Sequence, residues 1–302
     1  MGTGKESLEE ERMIKTVAIV GAGQMGGGIA QTVATAGFKV LLYDISAEQV
    51  EHAISTIKSN LAHLVKAEKM TEHDRLQTIE KLSTRLTIDE LKDADLIIEA
   101  ASEDENIKRD IFIGLCENLS PSTILATNTS TISITRLAAT TNRPEKFIGT
   151  HFMNPVPQMK LVEVVRGIAT SEETYSTICD FVTSIGKTYT VTEDFPAFIV
   201  NRVLVPMINE AIYALYEGVG DVNAIDTAMK LGANHPMGPL ELADFIGLDV
   251  CLAIMHVLHQ GLSDSKYRPC PLLIKYVEAG WLGRKSGRGF YDYSGKTPVP
   301  TR

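Results

Sequence analysis

The residues best placed to do chemistry in this chain are a histidine and a glutamate that the sequence pattern brings opposite one another. His151 ends an apolar run, Phe147 to His151, and the segment Asn154-Pro155-Val156-Pro157-Gln158-Met159 leads on to a second run, LVEVV, whose one polar side chain is Glu163. If the two runs fold back as a hairpin centred near Pro157, His151 and Glu163 each lie six positions from the centre and face each other. A carboxylate among valines is costly unless it is paired. An imidazole oriented by a carboxylate can take the proton of a hydroxyl while hydride leaves the adjoining carbon, which is the acid/base work of a dehydrogenase. A structural histidine at a strand end is the plain alternative.

A departing hydride needs an acceptor, and the N-terminal region supplies a seat for one. The strand-like run KTVAIV leads straight into Gly21-Ala22-Gly23-Gln24-Met25-Gly26 and then a helical pattern. In a dinucleotide-binding turn with this spacing, Gly21 permits the tight bend, Gly23 lets the backbone approach a pyrophosphate, and Gly26 lets the helix pack close on its strand. Asp44 ends the next apolar strand, at the distance of about 20 residues expected of an acid that binds the adenosine ribose hydroxyls. Its charge would repel a 2'-phosphate, and Ile45 and Ser46 offer no arginine to receive one, so NAD is expected over NADP. The alternative is that the glycines only build a turn and Asp44 caps the helix that begins near Ser46.

These groups must be held by a framework, and the periodicity describes one. From Lys15 to about Val191, strand-like runs (Val17 to Val20, Val40 to Tyr43, Leu96 to Glu99, Ile124 to Ala126, Phe147 to His151, Leu161 to Val165) alternate with helical patterns. That alternation predicts an α/β Rossmann-type doubly wound sheet. Residues 47–82 exceed a simple crossover and read as an inserted helical hairpin. After Phe195-Pro196 the texture becomes helical, giving an expected NAD-binding domain over 1–193 and an all-α domain over 194–302. The first helix of the latter, within AFIVNRVLVPMINEAIYALYEG, is apolar almost all round, as a helix buried against its own core or another subunit would be.

A net charge of -9 and four widely spaced cysteines argue against nucleic acid, anionic membranes, metal ligation and a disulfide framework. The acidic start MGTGKESLEEER lacks signal-peptide or transit-peptide character and reads as a tail, no apolar run is long enough to span a membrane, and Pro300-Thr301-Arg302 is no peroxisomal signal. A cytoplasmic enzyme is expected.

GTHFMNPVPQMKLVEVV, with GAGQMG, NTST, FIVNR and HPMGPLELADFIGLD in order, resembles the 3-hydroxyacyl-CoA dehydrogenase family, and most of all its short-chain 3-hydroxybutyryl-CoA branch, from about Lys15 to Tyr293. The resemblance implies NAD-dependent interconversion of an (S)-3-hydroxyacyl-CoA and its 3-oxoacyl-CoA, and a homodimer formed through the helical domain. It makes His151 the general acid/base and Glu163 its partner, gives Ser130 to the substrate's 3-oxygen, and sets the Asn201 amide beside the catalytic histidine. Glu103 and Lys108 match residues near the nicotinamide ribose, and Ser130, Asn154 and Lys285 match further cofactor contacts. In the inserted hairpin Asn60 and Lys66 match coenzyme A contacts, with Lys69 a phosphate partner; a solvated helix face accounts for the same residues. The chain departs from the family pattern in Pro196-Ala197, where Pro-Gly is usual, and in NTST for NTSS. A dehydrogenase of a free hydroxy acid and a catalytically idle NAD-binding protein are the alternatives.

Overall fold

The computed structural model describes residues 14–301; residues 1–13, which contain the expected acidic tail, and Arg302 lie outside them. The chain divides into two compact units between Phe195 and Pro196.

The first unit is built on an eight-stranded sheet of order β3-β2-β1-β4-β5-β6-β7-β8. Its strands are β1 (Thr16–Val20), β2 (Lys39–Tyr43), β3 (Leu82–Arg85), β4 (Leu96–Glu99), β5 (Ile124–Thr127), β6 (Phe147–Phe152), β7 (Leu161–Arg166) and β8 (Thr188–Glu193). The central strands are almost unbroken Val, Ile, Leu and Ala, the composition of a parallel sheet covered on both faces. From β3 to β6 all neighbours are parallel; β7 then runs antiparallel to β6, and β8 parallel to β7. The order reverses between β1 and β4, and such a switch point opens a crevice at the carboxyl ends of the strands.

The connecting helices of this unit are α1 (Gln24–Thr35), α2 (Ala47–Lys66), α3 (Glu72–Glu80), α4 (Glu105–Asn118), α5 (Ile134–Ala138) and α6 (Glu172–Ser184). Side chains that accept from backbone N–H groups start α2 (Ser46), α3 (Thr71), α4 (Asp104), α5 (Ser133) and α6 (Ser171). In α2 the residues Val50, Ala53, Ile57 and Leu61 form one stripe, which joins Ile29 and Val33 of α1 in the core.

Two strands differ from the sequence expectation. The helical insertion ends at Glu80, and Leu82 opens β3, paired in parallel with Val40 of β2. β8 likewise lies outside the strand-like runs of the sequence. Both are edge strands rich in Thr, Ser and charged residues, with few buried positions, so neither carries the apolar run that marks the inner strands.

The second unit contains α7 (Val200–Tyr216), α8 (Val222–Gly232), α9 (Pro239–Ile246), α10 (Leu248–Leu262), α11 (Pro271–Glu278) and a small antiparallel pair, β9 (Tyr291–Asp292) with β10 (Val299–Pro300). Its core gathers Val205, Ile208, Ile212, Leu240, Leu248, Met255, Leu258, Leu273 and Phe290. The expected all-round burial of the first helix does not hold within the unit, since Val203 is 68% and Tyr216 55% exposed. Among the described residues no single helix is long and apolar enough to cross a membrane; α9 and α10 together are, but they meet at 96°.

Candidate active site

The glycine-rich turn leaves β1 at the switch point. Gly21 takes φ +105°, and a Cβ there would lie 2.6 Å from the Ala100 carbonyl oxygen. At Gly26 a Cβ would fall 1.8 Å from the Gly21 oxygen, so that position must be bare for α1 to start where it does. Gly23 is different, because nothing lies within 4 Å of its Cβ position. The space in front of it is free for a ligand, whereas the other two glycines shape the turn itself.

Asp44 is half-buried and ties this turn to β2: Oδ2 accepts from the Ala22 N–H (2.7 Å) and Oδ1 from the Ser46 N–H (2.9 Å). It does not cap α2, a role that falls to Ser46. A cavity of about 410 Å³ opens beside the turn, lined by Ala22, Gly23, Gln24, Gln31, His52 and Asn60 among others, with Asn154 to Pro157 on its far wall. Gln24 Nε2 donates to Asn154 Oδ1 (3.2 Å), and Asn60 Nδ2 donates to Gln31 Oε1 (3.2 Å). Gly23's bare approach, the N-terminus of α1 behind it and the Asp44 carboxylate at the end of β2 together fit a dinucleotide.

A second group of charges lies at the end of β4. Glu99 is fully buried; its Oε1 accepts from Lys108 Nζ (2.7 Å) and the Ala101 N–H (2.7 Å), and its Oε2 from the Thr127 hydroxyl (2.6 Å). Lys108, also buried, stands 3.6 Å from Glu103. Glu103 Oε1 in turn accepts from the Thr129 hydroxyl (2.6 Å) and from the N–H groups of Ser130 (2.8 Å) and Thr131 (3.0 Å). The loop that presents Ser130 is thus fixed by a carboxylate, and Glu103 and Lys108 form no mere surface pair. Asn128 joins that loop to the next strand by accepting from the Phe152 N–H (2.9 Å).

His151 and Glu163 lie directly opposite each other in the β6–β7 ladder, as the symmetry about Pro157 requires. Nδ1 and Oε2 are 2.7 Å apart, with Glu163 fully buried and His151 6% exposed. The contact fixes which edge of the imidazole faces the carboxylate, with Nδ1 toward Glu163.

Lys66 and Lys69 are exposed, at and beyond the end of α2, and neither lines the cavity that Asn60 borders. Asn201 and Lys285 belong to the second unit: Asn201 is half-buried in the first turn of α7, and Lys285 pairs with Asp249 at 2.6 Å. Sequence reading missed Glu99, Asn128 and Lys187. Glu99 could have been found as the single acid in LIIE, the signal that picked out Glu163. Lys187 carries no such mark, although it is buried, with its ammonium on the carbonyls of Val156 (2.5 Å) and Met159 (2.6 Å) and desolvation holding its pKa below the lysine range.

Comparison with known proteins agrees with this architecture. Residues 16–195 match the NAD binding domain of 3-hydroxyacyl-CoA dehydrogenase, and residues 198–293 match the C-terminal domain. A 3-hydroxybutyryl-CoA dehydrogenase of Bradyrhizobium diazoefficiens is 62% identical over 96% of this chain and 99% of its own length. One from Clostridioides difficile is 49% identical over 92% of this chain and 99% of its own. The crystal structure of the (S)-3-hydroxybutyryl-CoA dehydrogenase of Ralstonia eutropha superposes with a TM-score of 0.92 at 48% identity, covering 93% of this chain and all of that one. With both domains matched in order across nearly the whole length, the chain belongs to the 3-hydroxyacyl-CoA dehydrogenase family.

Proposed function

We propose that this protein is an NAD-dependent dehydrogenase of (S)-3-hydroxyacyl-CoA, with 3-hydroxybutyryl-CoA and acetoacetyl-CoA as its substrate pair. The observation that carries the reading is the His151–Glu163 contact of 2.7 Å at the carboxyl end of β6, in the same unit as the glycine-rich turn. NAD, when bound, accepts hydride from C3 of the hydroxyacyl chain. His151 takes the hydroxyl proton on Nε2, and Glu163, on Nδ1, holds the ring in the tautomer in which Nε2 is the basic nitrogen and stabilises the charge the ring acquires. Ser130, whose backbone Glu103 fixes, offers its hydroxyl to the same oxygen. In the reduction the proton travels back from Nε2 to the forming alkoxide.

By family resemblance the Asn201 amide assists at the histidine, Lys285 and Asn154 contact the cofactor, and Asn60 with Lys66 and Lys69 meets coenzyme A. We assign homodimerisation to the second unit, where Ile199, Val203 and Tyr216 expose apolar surface at and along α7, and residence to the cytoplasm.

The test follows NADH consumption with acetoacetyl-CoA, using acetoacetate and NADPH as controls. The reading expects thioester-dependent turnover with NADH that His151→Gln lowers by about 10²–10⁴. Equal turnover of free acetoacetate would transfer the assignment to a hydroxy-acid dehydrogenase, and full activity in His151→Gln would require a different base.

A further inference from the structure

Lys108 and Lys187 are the two buried lysines among the described residues, and they are satisfied in different ways. Lys108 has carboxylates, whereas the ammonium of Lys187 is held by the backbone carbonyls of Val156 and Met159. Those carbonyls belong to the loop that follows His151 and turns back into β7. Pro155 and Pro157 carry no N–H, and the loop's own turn bonds, from Gln158 and Met159 N–H, both end on the Pro155 oxygen. Without Lys187 the Val156 and Met159 carbonyls would lose the donors that satisfy them.

The loop borders the glycine-rich turn. Val156 is 2% exposed, and a Cβ on Gly28 of α1 would come within 3.0 Å of its Cβ, so loop and helix are already in close contact. Asn154 meets Gln24 across the cavity mouth, and Asn154 to Pro157 form the wall that faces Ala22, Gly23 and Gln24. A methionine could fill the space of Lys187 without desolvating a charge; it could not bind two carbonyls.

We propose that Lys187 is a positioning residue for dinucleotide binding: its ammonium clamps the 154–159 loop in the conformation that walls the cavity beside Gly23. This rests on the reading that NAD occupies that cavity. When the clamp is removed the walled conformation becomes one of several, and affinity falls by the fraction of molecules that retain it.

The experiment is a fluorescence titration of the purified full chain with NADH, together with thermal unfolding, for wild type, Lys187→Met, Lys187→Gln and Thr170→Ala. Thr170 bonds the Phe147 carbonyl and the Gly167 N–H at the opposite end of β6 and β7, so its loss destabilises the same strands away from the loop. Lys187→Met should bind NADH roughly tenfold more weakly, with kcat at saturating NADH retained. Lys187→Gln, which keeps a neutral donor, should fall between. Thr170→Ala should lower the unfolding temperature and leave NADH affinity unchanged. Equal affinity in wild type and Lys187→Met overturns the inference, as does an equal loss in Thr170→Ala. If Lys187→Met does not fold, wild-type affinity in Lys187→Gln overturns it. A wild type that binds no NADH would overturn the proposed function and this inference together.

Discussion

Replacing Glu163 by Gln keeps the side chain's length and shape and removes its charge. The pair it belongs to is shielded from water, with Oε2 2.7 Å from His151 Nδ1, Glu163 fully buried and His151 6% exposed. When the imidazole takes the substrate proton, a carboxylate about 4 Å from the ring's centre of charge favours the product by about 4 kcal/mol at an effective dielectric constant of roughly 20. If half of that charge has developed in the transition state the loss is about 2 kcal/mol, or roughly 30-fold in kcat; if all of it has, roughly 1,000-fold. The amide can also present its NH₂ to Nδ1 and favour the tautomer that protonates Nε2, which moves the outcome toward the upper figure in the oxidative direction. Glu163 does not line the cavity beside Gly23, so NADH affinity should stay at the wild-type value. The assay is steady-state NADH absorbance in both directions at saturating cofactor, with NADH titration and thermal unfolding run alongside. A Glu163→Gln protein that folds, binds NADH normally and keeps its kcat within about threefold of wild type would refute the reasoning, because the predicted minimum loss is about ten times larger.

Two neighbouring glycines should behave oppositely. Gly23→Ala meets open space and should unfold within about 1 kcal/mol of wild type yet lose NADH affinity, whereas Gly26→Ala drives a Cβ to 1.8 Å from the Gly21 oxygen and should cost about 1–3 kcal/mol or more of stability; calorimetry and NADH titration of both proteins separate the effects. Lys108→Met leaves the fully buried Glu99 without its ammonium partner and should destabilise by about 3–5 kcal/mol in urea unfolding. The double variant Glu99→Gln with Lys108→Met should recover most of that loss. In the second unit, burial lifts the Asp244 carboxyl above the usual carboxylate range against the bonds it accepts from Phe290, Tyr291 and Tyr293. The folded form therefore binds that proton more tightly than the unfolded chain does. The stability gained is full below the unfolded value and is lost as pH rises through the folded one, so the stability difference between wild type and Asp244→Asn should shift against the wild type across that window.

The parts of the site that were legible in the sequence are those set by local geometry. The antiparallel register follows from symmetry about one loop, so His151 and Glu163 could be paired on paper, and the ladder pairs them. The glycine spacing, the strand before it and the acid after it describe a turn that any chain of this pattern must make, and Asp44 indeed reaches back to Ala22. What stayed hidden depends on tertiary placement. β3 and β8 are strands because β2 and β7 offer them an open edge, and their own polar sequences give no run to recognise. Lys187 works on a carbonyl 31 residues away, a partner with no side-chain identity for a sequence to display. Asn201 and Lys285 had no local signal and came from family resemblance.

Glu99 and Glu163 give the same signal, a lone acid in an apolar strand, and the structure shows why one signal has two meanings. Both are fully buried, and each strand would be more comfortable with a valine. Glu99 is matched to a lysine, so the pair is a fixed element that aligns Glu103 and, through it, the backbone of Ser130. Glu163 is matched to a histidine, the side chain to which the proposed reaction assigns the substrate proton. A protonated imidazole would complement the Glu163 charge, and in the proposed reaction that is the state that forms when hydride leaves the substrate. On this reading the first acid holds the site in place and the second favours one moment of the reaction, and the choice between Lys and His as the partner decides which.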